Sequence, residues 1–84
     1  MQTMDIEAKL KELLHGIDEE IDVDAITLES NLMDDVGMSS VALLYMSVAL
    51  EDEFGIDFNE IDMKETKTAG DVVALIEKKL QQNQ

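Results

Sequence analysis

Apolar residues recur at helical spacing at both ends of this chain, and no strand alternation competes with them. Near the start, Ile6, Leu10, Leu13, Leu14 and Ile17 form one stripe. Near the end, Ala69, Val72, Val73, Ile76 and Leu80 form another. The chain contains no proline, so no helix is broken by a residue without a backbone donor. Its 84 residues are enough for one hydrophobic core and one domain. The expected class is all-α: an antiparallel four-helix bundle of three longer helices and one short one, with a long first loop.

The boundaries follow from local signals. Gly16 marks the fraying end of the first helix. Next comes an acidic connection from Asp18 to Asp35, in which Ile21, Val23, Ile26, Leu28 and Leu32 have no clear period. A loop of that length needs pinning, and these aliphatics are expected to supply it. The second helix should begin at Ser39 or Ser40 and run to Phe54, closed by Gly55 in a left-handed cap. It is apolar on two faces, with Val41, Leu44 and Val48 on one and Leu43, Met46, Leu50 and Phe54 on the other. Such a helix is either largely buried or keeps apolar surface for a partner. Asn59 with Asp62, and Thr68 with Asp71, are capping-box patterns that open the short third helix and the last one. A single domain spans 1–84, with an ordered core over about 4–80 and a polar tail over 81–84.

Charge excludes several functions. Six basic residues against twenty acidic ones give −14, and none of the six is arginine. A phosphate-backbone binder needs Lys and Arg to displace counterions, and an anionic lipid surface repels such a chain. No apolar run is long enough to span a membrane, and no basic region leads into an apolar stretch at the N-terminus. With no cysteine there is no disulfide, thiolate metal site or native thiol nucleophile. A cytoplasmic monomer that neither binds nucleic acid nor inserts into membrane is expected. Fifteen of the twenty acids lie between Lys11 and Lys64, where there is no Lys or Arg. That stretch is either a solvated surface or one that steers basic partners.

Resident chemistry is sparse. The carboxylate runs 22–27 and 57–62 both lack the fifth and sixth positions that a calcium loop requires, so no metal site is expected. His15 is the only histidine, placed where an imidazolium complements a helix C-terminus. Ser30, Ser39, Ser40 and Ser47 lack a nucleophile elbow and a nearby base, so no catalytic residues are expected. One segment remains, Asp34-Asp35-Val36-Gly37-Met38-Ser39-Ser40-Val41, which sets two hydroxyls at the head of an apolar helix after a glycine turn. Both can be plain caps. The same place suits a hydroxyl carrying a phosphodiester, which the helix N-terminus stabilises by about 0.3–1 kcal/mol when exposed.

In these residues the chain resembles the acyl carrier protein family. Gly37-Met38-Ser39-Ser40-Val41 is similar to the family's Gly-x-Asp-Ser-Leu attachment motif. Ala49-Leu50-Glu51-Asp52-Glu53-Phe54-Gly55-Ile56 resembles its helix-end signature, and Lys67-Thr68-Ala69-Gly70-Asp71-Val72-Val73 its last-helix start. The resemblance implies that Ser40, third after Gly37, carries a phosphopantetheine arm derived from coenzyme A, with Gly37, Met38, Ser39 and Val41 around it. It implies a thiol that holds acyl groups as thioesters, and a carrier rather than an enzyme. Partners would be a phosphopantetheinyl transferase and acyl-transferring or acyl-modifying enzymes with basic docking surfaces, in fatty acid, polyketide or related lipid biosynthesis.

Two departures stand out. Ser39 falls where the family has aspartate, a residue that helps the transferase recognise the site. Ala42 and Tyr45 occupy second-helix positions that are usually acidic, while Glu51 and Asp52 keep the later pair. With Asp35, these residues are the expected partner-binding set; the lost charges indicate either a specialised carrier or positions that have simply drifted, with Tyr45 packing against the loop. The resemblance implies an interior space for the acyl chain, and by position Leu32, Leu44, Met46, Phe58, Met63 and Val72 are candidates to line it, although an ordinary packed core would use the same residues. The alternative is an acidic helical interaction module without a prosthetic group, in which Ser39 and Ser40 only cap.

Overall fold

The computed structural model describes residues 3–82. The elements run α1 (Thr3–Ile17), a single 3₁₀ turn (Val23–Ala25), α2 (Ser40–Phe54), α3 (Glu60–Glu65) and α4 (Ala69–Gln82). Helix α1 packs against both α2 and α4. The three longer helices each turn an apolar face inward: Ile6, Leu10 and Leu14 from α1, Met46 and Leu50 from α2, and Ala69, Val72, Val73 and Ile76 from α4. Burying each of the larger aliphatics is worth about 1.5–3 kcal/mol, which holds a domain this small together. The class is all-α, as expected, with one isolated antiparallel bridge, Asn31 to Thr68, as the extended pairing among the described residues.

The helix boundaries agree with the local signals. Gly55 closes α2 with φ +65° and its N–H donates to the Glu51 carbonyl. The Asn59–Asp62 box is complete, each side chain accepting the other's backbone N–H. Thr68 and Asp71 do the same for α4, at 3.1 and 3.0 Å. The end of α4 differs from the sequence reading. The helix continues through Gln81 and Gln82 rather than stopping at 80, because glutamine is a good helix former and nothing there breaks the turn. Residues 83–84 of the expected tail lie outside the described residues.

The long first loop is held in two ways, one of them not anticipated. Ile21, Ile26 and Leu32 are buried and Val23 half-buried, so these aliphatics do pin it. Leu28 does not: its side chain is exposed. Its contribution is a backbone carbonyl that accepts the Gly70 N–H at 2.8 Å. Ser30 O likewise accepts the Ala69 N–H, and Leu32 N–H donates to Lys67 O at 2.9 Å. The first turn of α4 has N–H groups without intrahelical partners, and the loop supplies them.

Candidate functional site

The approach to α2 is built on Asn31. Its side-chain oxygen accepts the N–H groups of Met33 and Asp34, at 2.9 and 2.8 Å. Its own N–H donates to the Asp35 carboxylate at 2.7 Å, and its carbonyl accepts from Asp35 and Val36. This closed turn feeds Gly37, which adopts φ +86°, a conformation costly for any residue with a Cβ. Met38 then dives into the core and donates its N–H to the Leu32 carbonyl at 2.9 Å. Leu32 and Met38 are thus both anchored, and the chain between them is a fixed platform for the head of α2.

The two serines differ. Ser39 is extended, and its Oγ accepts the Ala42 N–H at 3.2 Å, so its hydroxyl is engaged as the N-cap. Ser40 is the first residue of α2, exposed, and its hydroxyl has no hydrogen-bond partner among the described residues. A phosphodiester on Ser40 Oγ would stand at the start of a 15-residue helix, beside backbone N–H groups of its first turn. The first turn of α2 carries no acidic side chain to oppose that charge. The residues therefore fit a phosphate-linked arm at this point.

Beside Ser40 lies a cleft of about 660 Å³ between the end of the first loop, the head of α2, and α3 with the segment after it. Leu32, Leu43 and Met63 give it apolar surface, while Asn31, Thr66, Lys64 and Lys67 contribute polar groups. Of the residues expected around an acyl chain, the structure places Leu32 and Met63 in this cleft. Met46, Phe58 and Val72 are buried in the packed core and do not line it. Leu44 lies elsewhere: it is 55% exposed on the outer face of α2. The helical turn explains the difference, since Leu43, one residue earlier, is the neighbour that turns toward the cleft. Leu43 could have been found from its i+3 spacing to Ser40. Asn31, Lys64, Thr66 and Lys67 could not, because they converge through the long-range pairing of the first loop with the segment before α4.

The outer face of α2 carries Val41, Leu44, Tyr45 and Val48, all more than half exposed. These four recur at i, i+3, i+4 and i+7 and form one continuous apolar stripe. Ala42 is half-buried beside it. At the far end of the helix Asp52 is exposed, whereas Glu51 turns one carboxylate oxygen to the Phe58 N–H at 3.0 Å and so also fixes the segment after α2. Asp35 is likewise part of the Asn31 turn and exposed. Ser47 is buried, and its hydroxyl donates to the Leu44 carbonyl at 2.7 Å, a structural role only. His15 is exposed in the last turn of α1.

A family model described as "phosphopantetheine attachment site" matches residues 8–76 of the chain, a span that includes both serines and every wall of the cleft. Among curated proteins, the chain is 41% identical over 83 residues to the acyl carrier protein MbtL of Mycobacterium sp. (strain MCS), covering 95% of this chain and 92% of that protein. It is 32% identical over 76 residues to the acyl carrier protein of Desulforapulum autotrophicum, covering 90% and 99%. It is 44% identical over 59 residues to that of an Exiguobacterium species (strain ATCC BAA-1283 / AT1b), covering 70% and 75%.

Proposed function

This chain belongs to the acyl carrier protein family, and on that premise we propose that Ser40 is the residue that bears its phosphopantetheine. The protein is a carrier and not an enzyme, and the prosthetic group is covalent. When attached, the group supplies the thiol that a chain without cysteine lacks. The observation that carries the assignment to Ser40 is the contrast between the two hydroxyls. Ser39 Oγ is engaged with the Ala42 N–H, while Ser40, at the head of α2, is exposed and its Oγ has no hydrogen-bond partner among the described residues. A transferase can reach the second without undoing a helix cap.

The cleft beside Ser40 is where the acyl group is held. Leu32, Leu43 and Met63 give it apolar contact. The apolar stripe of α2 is the docking face for partner enzymes. Glu51 and Asp52 at the end of the helix offer charge to a basic surface, while Val41, Leu44, Tyr45 and Val48 offer apolar contact. Tyrosine is a residue type enriched at interface centres, and its presence with Ala42 in place of charge favours dedicated partners over generic basic ones. The reading is therefore a specialised carrier of acyl thioesters. A relative with a designation of its own, MbtL, supports it. Among the described residues no helix is long and apolar enough to cross a membrane.

The test is intact mass before and after incubation with coenzyme A, magnesium and a broad-specificity phosphopantetheinyl transferase. The wild type and Ser39→Ala are expected to gain one phosphopantetheine, and Ser40→Ala none. A gain in Ser40→Ala with none in Ser39→Ala would move the attachment to the neighbouring serine. No gain in any folded protein would favour the unmodified interaction module instead.

A further inference from the structure

Helix α3 forms one wall of the cleft, through Glu60, Met63 and Lys64, yet it is weakly held. It has six residues, none of them fully buried, and Ile61 is 67% exposed. Met63 is the side chain that packs against the core from it. A further long-range tie is an ion pair, Asp62 to Lys79 on α4, at 2.9 Å. The two side chains are only 13% and 19% exposed, whereas the other ion pairs among the described residues join side chains more open to water. Asp62 also completes the capping box of α3, with the oxygen that meets Lys79 accepting the Asn59 N–H at 3.2 Å. One carboxylate thus both starts the helix and fastens it to α4.

We propose that Asp62 and Lys79 are positioning residues that clamp α3 against α4, and so set how tightly the cleft beside Ser40 closes over its cargo. The inference rests on the reading of that cleft as the acyl-holding space. A short helix without a buried residue contributes little burial energy of its own, so a shielded ion pair is a large share of what keeps it in place. Cutting the pair leaves the core of α1, α2 and α4 intact and loosens one wall alone. Lys79 is the member to change, because altering Asp62 would also remove the cap.

The experiment compares wild type, Lys79→Met, Lys79→Arg and Lys78→Met. Methionine keeps the apolar stem of Lys79, arginine keeps the charge, and Lys78 is an exposed neighbour without an ion pair among the described residues. Amide hydrogen exchange on the unloaded protein reads α3 through the Met63 and Thr66 N–H groups, which donate to Asn59 O and Asp62 O. Exchange there should rise about three- to tenfold in Lys79→Met, with α1 unchanged and with Lys79→Arg and Lys78→Met near wild type. With an octanoyl group on the arm, cleavage of the thioester by hydroxylamine should speed up in Lys79→Met alone. No rise in α3 exchange, an equal rise in α1, or a rise without faster cleavage would each overturn the clamp. Should the wild type accept no arm, the Ser40 assignment fails, and the exchange comparison alone decides whether the pair holds α3.

Discussion

A Cβ built on Gly70 would lie 2.6 Å from the Leu28 carbonyl oxygen and 3.2 Å from the Leu28 Cβ. Both Leu28 atoms belong to a loop whose backbone is bonded to the start of α4, so neither can give way without breaking that bond. Gly70→Ala is therefore expected to destabilise by about 1–3 kcal/mol, although alanine is the better helix former. A urea midpoint unchanged or raised would contradict this. The two serines offer a second contrast at the same scale. Ser39→Ala removes an N-cap and should cost about 1 kcal/mol. Ser40→Ala removes a hydroxyl that bonds nothing in the described structure, so its thermal midpoint should match wild type within what about 0.5 kcal/mol allows. Gly37 and Gly55 were legible as turn residues because their left-handed φ values serve local geometry. Gly70 was legible only as part of a motif. Its constraint is a carbonyl more than forty positions away in sequence, and no local signal carries that.

Among elements, the helices were readable and the contacts between them were not. Periodicity separated the two faces of α2 correctly, yet could not say which face turned to solvent. Both were apolar, and only the packing of α1 against Met46 and Leu50 decides it. The head of α4 shows the complementary case, where a box written in the sequence fixes an element by charge. The Asp71 carboxylate accepts the N–H groups of Lys67 and Thr68, at 3.0 and 3.1 Å. These backbone bonds, first Lys67 and then Thr68, hold its pKa below the ordinary carboxylate value, and partial desolvation opposes them only weakly. A carboxyl with a lowered folded pKa stabilises the fold fully above its unfolded value, and loses that contribution as pH falls through the folded one. At pH 7, Asp71→Ala should therefore be less stable than wild type. Because Asp71 is mostly exposed, the loss is about 0.5–1 kcal/mol. The gap between the two proteins should narrow as pH drops below about 4, where an ordinary aspartate protonates. A gap that stays constant from pH 7 to pH 2.5 in urea titrations would show that the bonds do not depend on the carboxylate charge.

The molecule as a whole carries −14 on a body 35 × 25 × 20 Å across. Four ion pairs link Lys9, Lys11 and Lys79 to acidic partners among the described residues. Lys64, Lys67 and Lys78 join none of them, so most of the twenty acids face one another through water rather than through a counter-ion. At about 10 mM salt the screening length is roughly 30 Å, close to the length of the molecule, so every carboxylate feels the rest. Near 0.3 M it is under about 10 Å, and only near neighbours interact. Folding gathers these charges together, so salt should raise stability. An increase of about 1 kcal/mol would lift the melting temperature by roughly 4–8 °C in a domain of this size. The same screening weakens attraction to a basic enzyme surface, and so association with partners should slow over the range in which the fold is strengthened. Melts followed by circular dichroism at 10 and 300 mM sodium chloride, paired with association rates to a partner enzyme, test both. If the acidic surface acts as steering charge, the melting temperature rises while the association rate falls. If both are flat, the acids only solvate, and the apolar stripe of α2 carries recognition alone.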